Sequence, residues 1–327
     1  MRRFSGLARY AVVLLVIVSA QFFLFRAMPG DPLIHVLGEE GYLLASMNPE
    51  EMARLRVEYG LDKPLPLQFA SYLWETAHGR LGWSSTWNMP VFRIIMDRLP
   101  WTILLMFPSI MLSVFFSALL GTWAGWTNDS LPQKWVTGFF LLLYSFPGYC
   151  LALLLAAALG FGCAIFPTGG MVPLGSPGQG FSLLDAARHM ALPVLSLALS
   201  GTAYKFLVMK SAVMGITDQE YVLTAVAKGL SPFRVAVFHV FPNALPQLIH
   251  LAAMSLGHMV SGALLIEVVF SWNGMGVLMH EAVMTRDYPL LMGSFLVLTF
   301  CVMLANALAD LLHKAVDPRV RDGAYGV

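Results

Sequence analysis

Charge is what this sequence has least of. Only 12% of its 327 residues are Asp, Glu, Lys or Arg, and the net charge is +1. That share is about half of what a soluble globular domain carries. No basic run or face is present, which excludes nucleic acid as a partner. Cysteine is scarce as well: Cys150, Cys163 and Cys301 lie in or beside apolar blocks without metal-ligand spacing, so neither a disulfide framework nor a zinc site is expected. The 19 methionines are scattered rather than clustered, as suits adaptable packing rather than soft-metal handling. The dipeptide Gly-Lys is missing altogether, so the chain cannot form a Walker phosphate loop. No Ser/His/Asp or Cys/His arrangement is evident. The chain is therefore expected to have no catalytic residues and no metal or cofactor of its own.

What the sequence has in abundance is apolar length. Hydrophobic residues make up 57% of it and the mean hydropathy is +0.69. They gather into blocks at Tyr10–Phe25 and about 101–126, 135–162, 190–212, 244–268 and 290–313, each close to the ~20 residues that cross a bilayer core. The expected fold is all-α and polytopic, with about six transmembrane helices. Pro108, Pro147 and Pro193 fall inside blocks and are tolerated where neighbouring helices satisfy the freed carbonyls. The first block has two readings. Val18-Ser19-Ala20 resembles a cleavage site, but the apolar run continues through Phe22-Phe23-Leu24-Phe25, which favours an uncleaved span. Lys and Arg cluster on one side of the short loops: Arg2, Arg3, Arg9, Lys134, Lys205, Lys210, Lys228, Arg234, Lys314, Arg319 and Arg321 against Arg188 and Arg286. This bias places both termini in the cytosol.

The resulting division has a cytosolic N-terminus and first span at 1–27 and a small extracytoplasmic element at 28–100. A five-span core follows at 101–313, then a cytosolic tail at 314–327. Within 28–100, Pro29-Gly30-Asp31-Pro32 and Lys63-Pro64-Leu65-Pro66 read as turns. Asn48 and Pro49 begin a short helix reaching about Tyr59.

Residues 213–243, a cytosolic loop within the core, are more than a connector. Thr217-Asp218-Gln219-Glu220 reads as a capping box, followed by a helix to Lys228 and a left-handed stop at Gly229. Ser231-Pro232 restarts a helix that is expected to end near Phe241, with Pro242-Asn243 leading into the next span. The first of these helices contains Tyr221, Val222, Leu223, Ala225, Val226 and Ala227. Such a helix has almost no polar face and must be covered. Either it packs under the bundle's own ends or it docks on a separate cytosolic protein.

The run Glu220-Tyr221-Val222-Leu223-Thr224-Ala225-Val226-Ala227-Lys228-Gly229-Leu230-Ser231-Pro232, followed by Asn243-Ala244-Leu245-Pro246, resembles the EAA loop of ABC-importer permeases. The dipeptide/oligopeptide/nickel permeases are the particular likeness. It extends to Glu267–Gly276, Arg286-Asp287-Tyr288-Pro289, Asn306 with Asp310, Asp317–Arg321 and Phe25–Pro32, and so covers nearly the whole chain. Leu223 departs from the pattern where such loops often carry Arg or Glu, and Phe238–Pro242 replace a more basic stretch.

The resemblance implies a type I importer permease in a bacterial inner membrane. Such a chain forms half of the pathway beside a second homologous permease. Two cytosolic ABC ATPase subunits supply ATP and Mg, and an extracytoplasmic binding protein delivers di- or oligopeptides. It also implies that Glu220, Tyr221, Thr224, Ala225, Gly229, Ser231, Pro232, Asn243 and Pro246 couple the chain to the ATPases. A bulky residue at Gly229 is expected to cost transport but not insertion. Nickel or another metal chelate is the alternative cargo. An ion-gradient-driven transporter is the alternative class, although the paired midplane carboxylates and repeated broken helices it would favour are not seen, nor is a receptor without transport activity suggested by a matched apolar helix.

Other residues invite functional readings. His250 and His258 lie eight residues apart, about 80° and 12 Å apart on a helix, and so cannot share one ion. Glu267 and Asp310 are expected to be structural, and Lys205 and Lys210 to snorkel to the membrane surface. Arg286 and Asp287 either pair with each other or meet the binding protein. The stretch 167–180, with five glycines and three prolines, is expected to be irregular.

Overall fold

A computed structural model describes residues 2–27, 30–127, 129–170 and 183–316. The helices are α1 (Arg2–Ala27), α2 (Pro32–Ser46), α3 (Pro49–Glu58), α4 (Leu65–Ala77), α5 (Val91–Trp126), α6 (Leu131–Ser145), α7 (Gly148–Leu155), α8 (Leu183–Thr217), α9 (Glu220–Ala227), α10 (Pro232–Val235), α11 (Phe241–Val269), α12 (Met275–Met284) and α13 (Tyr288–Val316). A two-stranded antiparallel hairpin, β1 (Trp83–Ser84) and β2 (Met89–Pro90), precedes α5. Among the described residues five helices are long and apolar enough to cross a membrane, and six if the bent pair is one span. The described residues fall into two compact units, one within Met1–Pro100 and Gly274–Met303, the other within Trp101–Asn273 and Leu304–Val327.

In the first unit, both turn signals lead directly into helices, Pro29 lying outside the described residues. Asp31 caps α2 through Leu33 N at 3.1 Å with Pro32 in the first turn, and α4 begins at Leu65-Pro66. Proline supplies a helical φ where no amide donor is needed, so these signals open helices as readily as turns. Asn48 caps α3 as expected, accepting from Glu50 N at 3.0 Å. The Asp31 carboxylate also holds Arg56 of α3. Phe22 and Phe23 of α1 pack on Phe69 of α4. Asp287 is fully buried. It caps α13 through Leu290 N at 3.1 Å, accepts from Thr86 N at 3.2 Å, and accepts a hydrogen bond from the Ser84 hydroxyl. Its carboxylate is thus used inside the fold, at the hairpin, rather than offered to a partner.

In the second unit α8 is the central helix, flanked by α6, α7 and α11. It meets α5 at close range. A Cβ on Gly121 would lie 2.7 Å from Met209 Cβ, and one on Gly125 would lie 2.7 Å from the Lys210 carbonyl oxygen. Gly121 and Gly125 form a small-xxx-small pair, the usual device by which helices in lipid approach backbone to backbone. Lys205 lies in this region and is 4% exposed. Its ammonium donates to Ser113 Oγ and to the Gly201 carbonyl, both at 3.1 Å. The expectation that Lys205 snorkels is therefore wrong: the stem turns into the helix crossing, where two oxygens satisfy the head. Lys210 is half-buried and reaches Thr137 Oγ1 at 3.4 Å.

Glu267 is also fully buried, and it accepts from Thr102 Oγ1 at 2.6 Å. Beside it the Trp272 indole donates to the Trp101 carbonyl at 3.1 Å. These contacts fit the structural role expected of Glu267. The Asp310 side chain lies outside the described residues.

The block at 135–162 is not one straight span. α6 and the helix from Gly148 to Gly162 meet at 107°. Phe146 and Pro147 are both extended, with ψ of 135° and 143°, because the proline ring disfavours helical geometry in the residue before it. Beyond this break, residues 163–170 are irregular; of the stretch 167–180 expected to be so, 167–170 are, and 171–182 lie outside the described residues.

Candidate functional site

The segment between α8 and α11 is built from three signals, two of which act as the sequence suggests. Gly229 has φ +76°. It ends α9 in a Schellman arrangement, with Gly229 N bonded to the Val226 carbonyl at 2.9 Å and Leu230 N to the Ala225 carbonyl at 3.4 Å. Ser231 is the N-cap residue of α10 and Pro232 occupies its first turn, although the Ser231 hydroxyl makes no capping bond.

The capping box, the third signal, does not form. Thr217 is the last residue of α8, and its hydroxyl donates back to the Met214 carbonyl at 2.7 Å. Gln219 takes the N-cap position of α9 without a side-chain bond. The preceding span runs on through Thr217, so the threonine satisfies a carbonyl of that helix rather than an amide of the next.

Nor does α10 end near Phe241. It passes through a π-helical segment, Ala236–Val240, directly into α11, and the wider turn admits Pro242 without a break. Asn243 Nδ2 donates to the His239 carbonyl at 2.7 Å, inside the π segment. Pro246 lies within α11.

The two faces of α9 have different fates. Val222 and Ala225, three residues apart, are 1% and 5% exposed. They pack with Met209 and Val213 of α8, with Val235 and Val240, and with Ala244 and Leu248 of α11. The opposite face is open: Tyr221 is 44% exposed, Leu223 58% and Val226 51%. Phe233 and Phe238, exposed by 76% and 67%, extend the apolar surface past Gly229. Packing under the bundle's own ends thus accounts for one face of α9, and the other face is left uncovered within the chain. Glu220 and Thr224 are exposed, with the Thr224 hydroxyl donating to the Glu220 carbonyl at 2.8 Å. Val222, Phe233 and Phe238 are not among the coupling residues that the resemblance implies, although Val222 belongs to the apolar helix and Phe238 to the departing stretch noted in the sequence. The spacing of Val222 and Ala225 was a legible sign of a buried stripe, whereas the exposure of Phe233 and Phe238 required the helix to continue.

Among the described residues no group of His, Cys, Asp and Glu is placed to hold a metal. His250 is exposed, and the side chain of His258 lies outside the described residues.

The segment sits inside a longer match. Residues 117–322 match the family described as binding-protein-dependent transport system inner membrane component, and residues 1–106 match that family's N-terminal part. The chain belongs to this family.

This permease is therefore a multi-pass inner-membrane component of a transport system that works with a binding protein; it is the membrane subunit and not the ATPase. A Brucella ovis protein provisionally named a peptide permease is 35% identical over 310 residues, covering 94% of this permease and 95% of the relative. A Brucella abortus protein provisionally named a permease of a peptide transport system is 33% identical, with the same coverage. The dipeptide transport system permease protein of Escherichia coli K12 is 30% identical over 318 residues, 92% of each chain.

Proposed function

We propose that this permease forms half of the pathway of an ATP-driven importer of di- or oligopeptides, with α9 as the element that couples it to ATP hydrolysis. The observation that carries the reading is the split character of α9, one face in the bundle and the other apolar and open. In this reading the open face, with Tyr221, Leu223, Val226, Phe233 and Phe238, seats in a groove of a cytosolic ATPase. The complete system contains two such ATPases, which hold the ATP and Mg, a second homologous permease and an extracytoplasmic binding protein. Both termini and α9 are cytosolic, in keeping with the Lys and Arg bias, and 28–100 is the extracytoplasmic element. The division at 1–27, 28–100, 101–313 and 314–327 follows the same sidedness. The names of the relatives favour peptides over metal chelates as cargo.

The mechanism follows from how α9 is held. When the ATPases close on ATP, α9 moves as a rigid lever. Val222 and Ala225 pass the displacement to α8 through Met209 and Val213 and to α11 through Ala244 and Leu248. The spans then shift between inward-open and outward-open arrangements, as far as the differential ATP affinity of the two states allows. Glu220, Tyr221, Thr224, Ala225, Gly229, Ser231, Pro232, Asn243 and Pro246 take part in unequal ways. Ala225 and Gly229 fix the lever, Tyr221 belongs to the docking face, and Asn243 stiffens the joint with α11.

The test is to extract the chain from membranes and assay the assembly for ATPase subunits and for hydrolysis stimulated by peptide-loaded binding protein. Co-purification, stimulation and dipeptide uptake are expected, all lost in Leu223→Asp. Uptake of sugars or inorganic anions alone would overturn the cargo, and absence of any ATPase would overturn the coupling.

A further inference from the structure

The first unit contains a half-enclosed cleft of about 400 Å³ between α1, α4 and the start of α13, within the roughly 300–1,000 Å³ range of small-ligand sites. Its walls differ in kind. Phe22 and Phe25 of α1 and Met292 and Leu296 of α13 give an apolar side. Arg26, Lys63, Gln68 and Tyr72 give a polar side, joined by Glu75 and Arg80. Glu75 and Arg80 face each other at 3.4 Å. Arg26 lies over the Phe22 ring at 5.5 Å, and neither it nor Lys63 has a carboxylate partner among the described residues. The cleft therefore holds three cations against one carboxylate. Gln68 gives both its amide protons to carbonyls, of Lys63 at 2.7 Å and Leu61 at 3.3 Å, and its Oε1 is buried without a donor. Burial pushes the Tyr72 phenol above its usual range, so at neutral pH it carries its proton.

We propose that this cleft binds the headgroup of an anionic phospholipid. The phosphate sits between Arg26 and Lys63, and a headgroup hydroxyl donates to Gln68 Oε1. The first acyl carbons lie along Phe22, Phe25, Met292 and Leu296. Depth favours lipid over a soluble phosphate ester. Arg26 is in the last turn of the span Ala8–Ala27, where the apolar run gives way to headgroups, and a basic pocket beside spans at that level suits a lipid phosphate. The unpaired charges favour phosphatidylglycerol over zwitterionic phosphatidylcholine, and its glycerol hydroxyls provide the donor that Gln68 lacks.

The full chain, in the assembly in which it is extracted, is reconstituted in nanodiscs of phosphatidylcholine with or without phosphatidylglycerol. It is then released in detergent and its retained lipids are counted by native mass spectrometry. Retention of one phosphatidylglycerol per chain is expected, at a preference of about ten- to thirtyfold for two cations near a charged headgroup. Arg26→Gln with Lys63→Gln should remove the preference. Met292→Trp, which fills the cleft without changing charge, should lower retention of the lipid and so covers the case in which the double variant fails to fold. Equal retention of the two lipids by the unaltered chain would overturn the proposal, as would undiminished retention in the folded variants. Displacement by millimolar glycerol phosphate would give the site to a soluble phosphate ester instead, and displacement by dialanine would give it to cargo.

Discussion

Two apolar helix contacts in the second unit differ in what holds them. Where α5 crosses α8, Gly121 and Gly125 bring main chain against Met209, Lys210 and Val213 with no room for a Cβ. Where α9 meets α8 and α11, only the side chains of Val222 and Ala225 enter the common cluster, and the rest of the helix stands clear. The first contact has no slack, because a backbone cannot change rotamer. The second has an edge held by two small side chains and ends at the left-handed Gly229. The proposed mechanism uses both, the close crossing as a fixed frame and α9 as the moving lever.

The comparison is broken most directly at the crossing. Gly125→Leu sets a side chain against a carbonyl oxygen already within 2.7 Å of the missing Cβ. It should exceed the usual ~1–3 kcal/mol of core overpacking, and the expected result is little or no folded chain in membranes by immunoblot and size-exclusion chromatography. Val222→Ala is next, at about 1–3 kcal/mol for two buried methyl groups and the cavity left behind. A lower midpoint of thermal unfolding should accompany weaker coupling of ATP hydrolysis to uptake.

Gly229 separates bulk from backbone. No atom lies within 4 Å of the position of its Cβ, so size itself costs little there, while φ +76° imposes about 1–2 kcal/mol on an ordinary L-residue. Gly229→Val should therefore impair uptake while Gly229→Asn, which tolerates the left-handed region, stays close to the unaltered chain. Equal uptake by the two variants would remove the backbone explanation. The smallest effect is expected at Ser231→Ala, within ~0.5 kcal/mol, since the hydroxyl makes no capping bond. A larger loss of stability would show that the hydroxyl acts in some other way.

Much of this was written in local sequence. Asn48-Pro49 and Gly229 acted as their types dictate, because a cap and a left-handed stop depend on neighbours within a few residues. Thr217 and Phe241 misled for one shared reason. Each stands where a helix was free either to stop or to run on, and packing of the adjoining span decided. Pro147 is compatible with a span by sequence, and the chain bends there by 107°. Whether neighbours straighten or accept a proline break is a property of those neighbours. The spacing of Val222 and Ala225 was legible too, but not which helices would receive them.

By itself, then, the sequence determined the class of the molecule. Long apolar blocks and scarce charge make a polytopic membrane protein, and the run Glu220–Pro232 carries its resemblance to ABC-importer permeases, because hydropathy and local motifs need no coordinates to be read. Only the tertiary structure decided which apolar surface is spent inside and which is left to offer. It buried Lys205 rather than exposing it, gave Asp287 to the hairpin, and left Arg26 and Lys63 facing an open cleft. Burial and partnership belong to pairs of residues far apart in the chain, and periodicity along one helix carries no information about them.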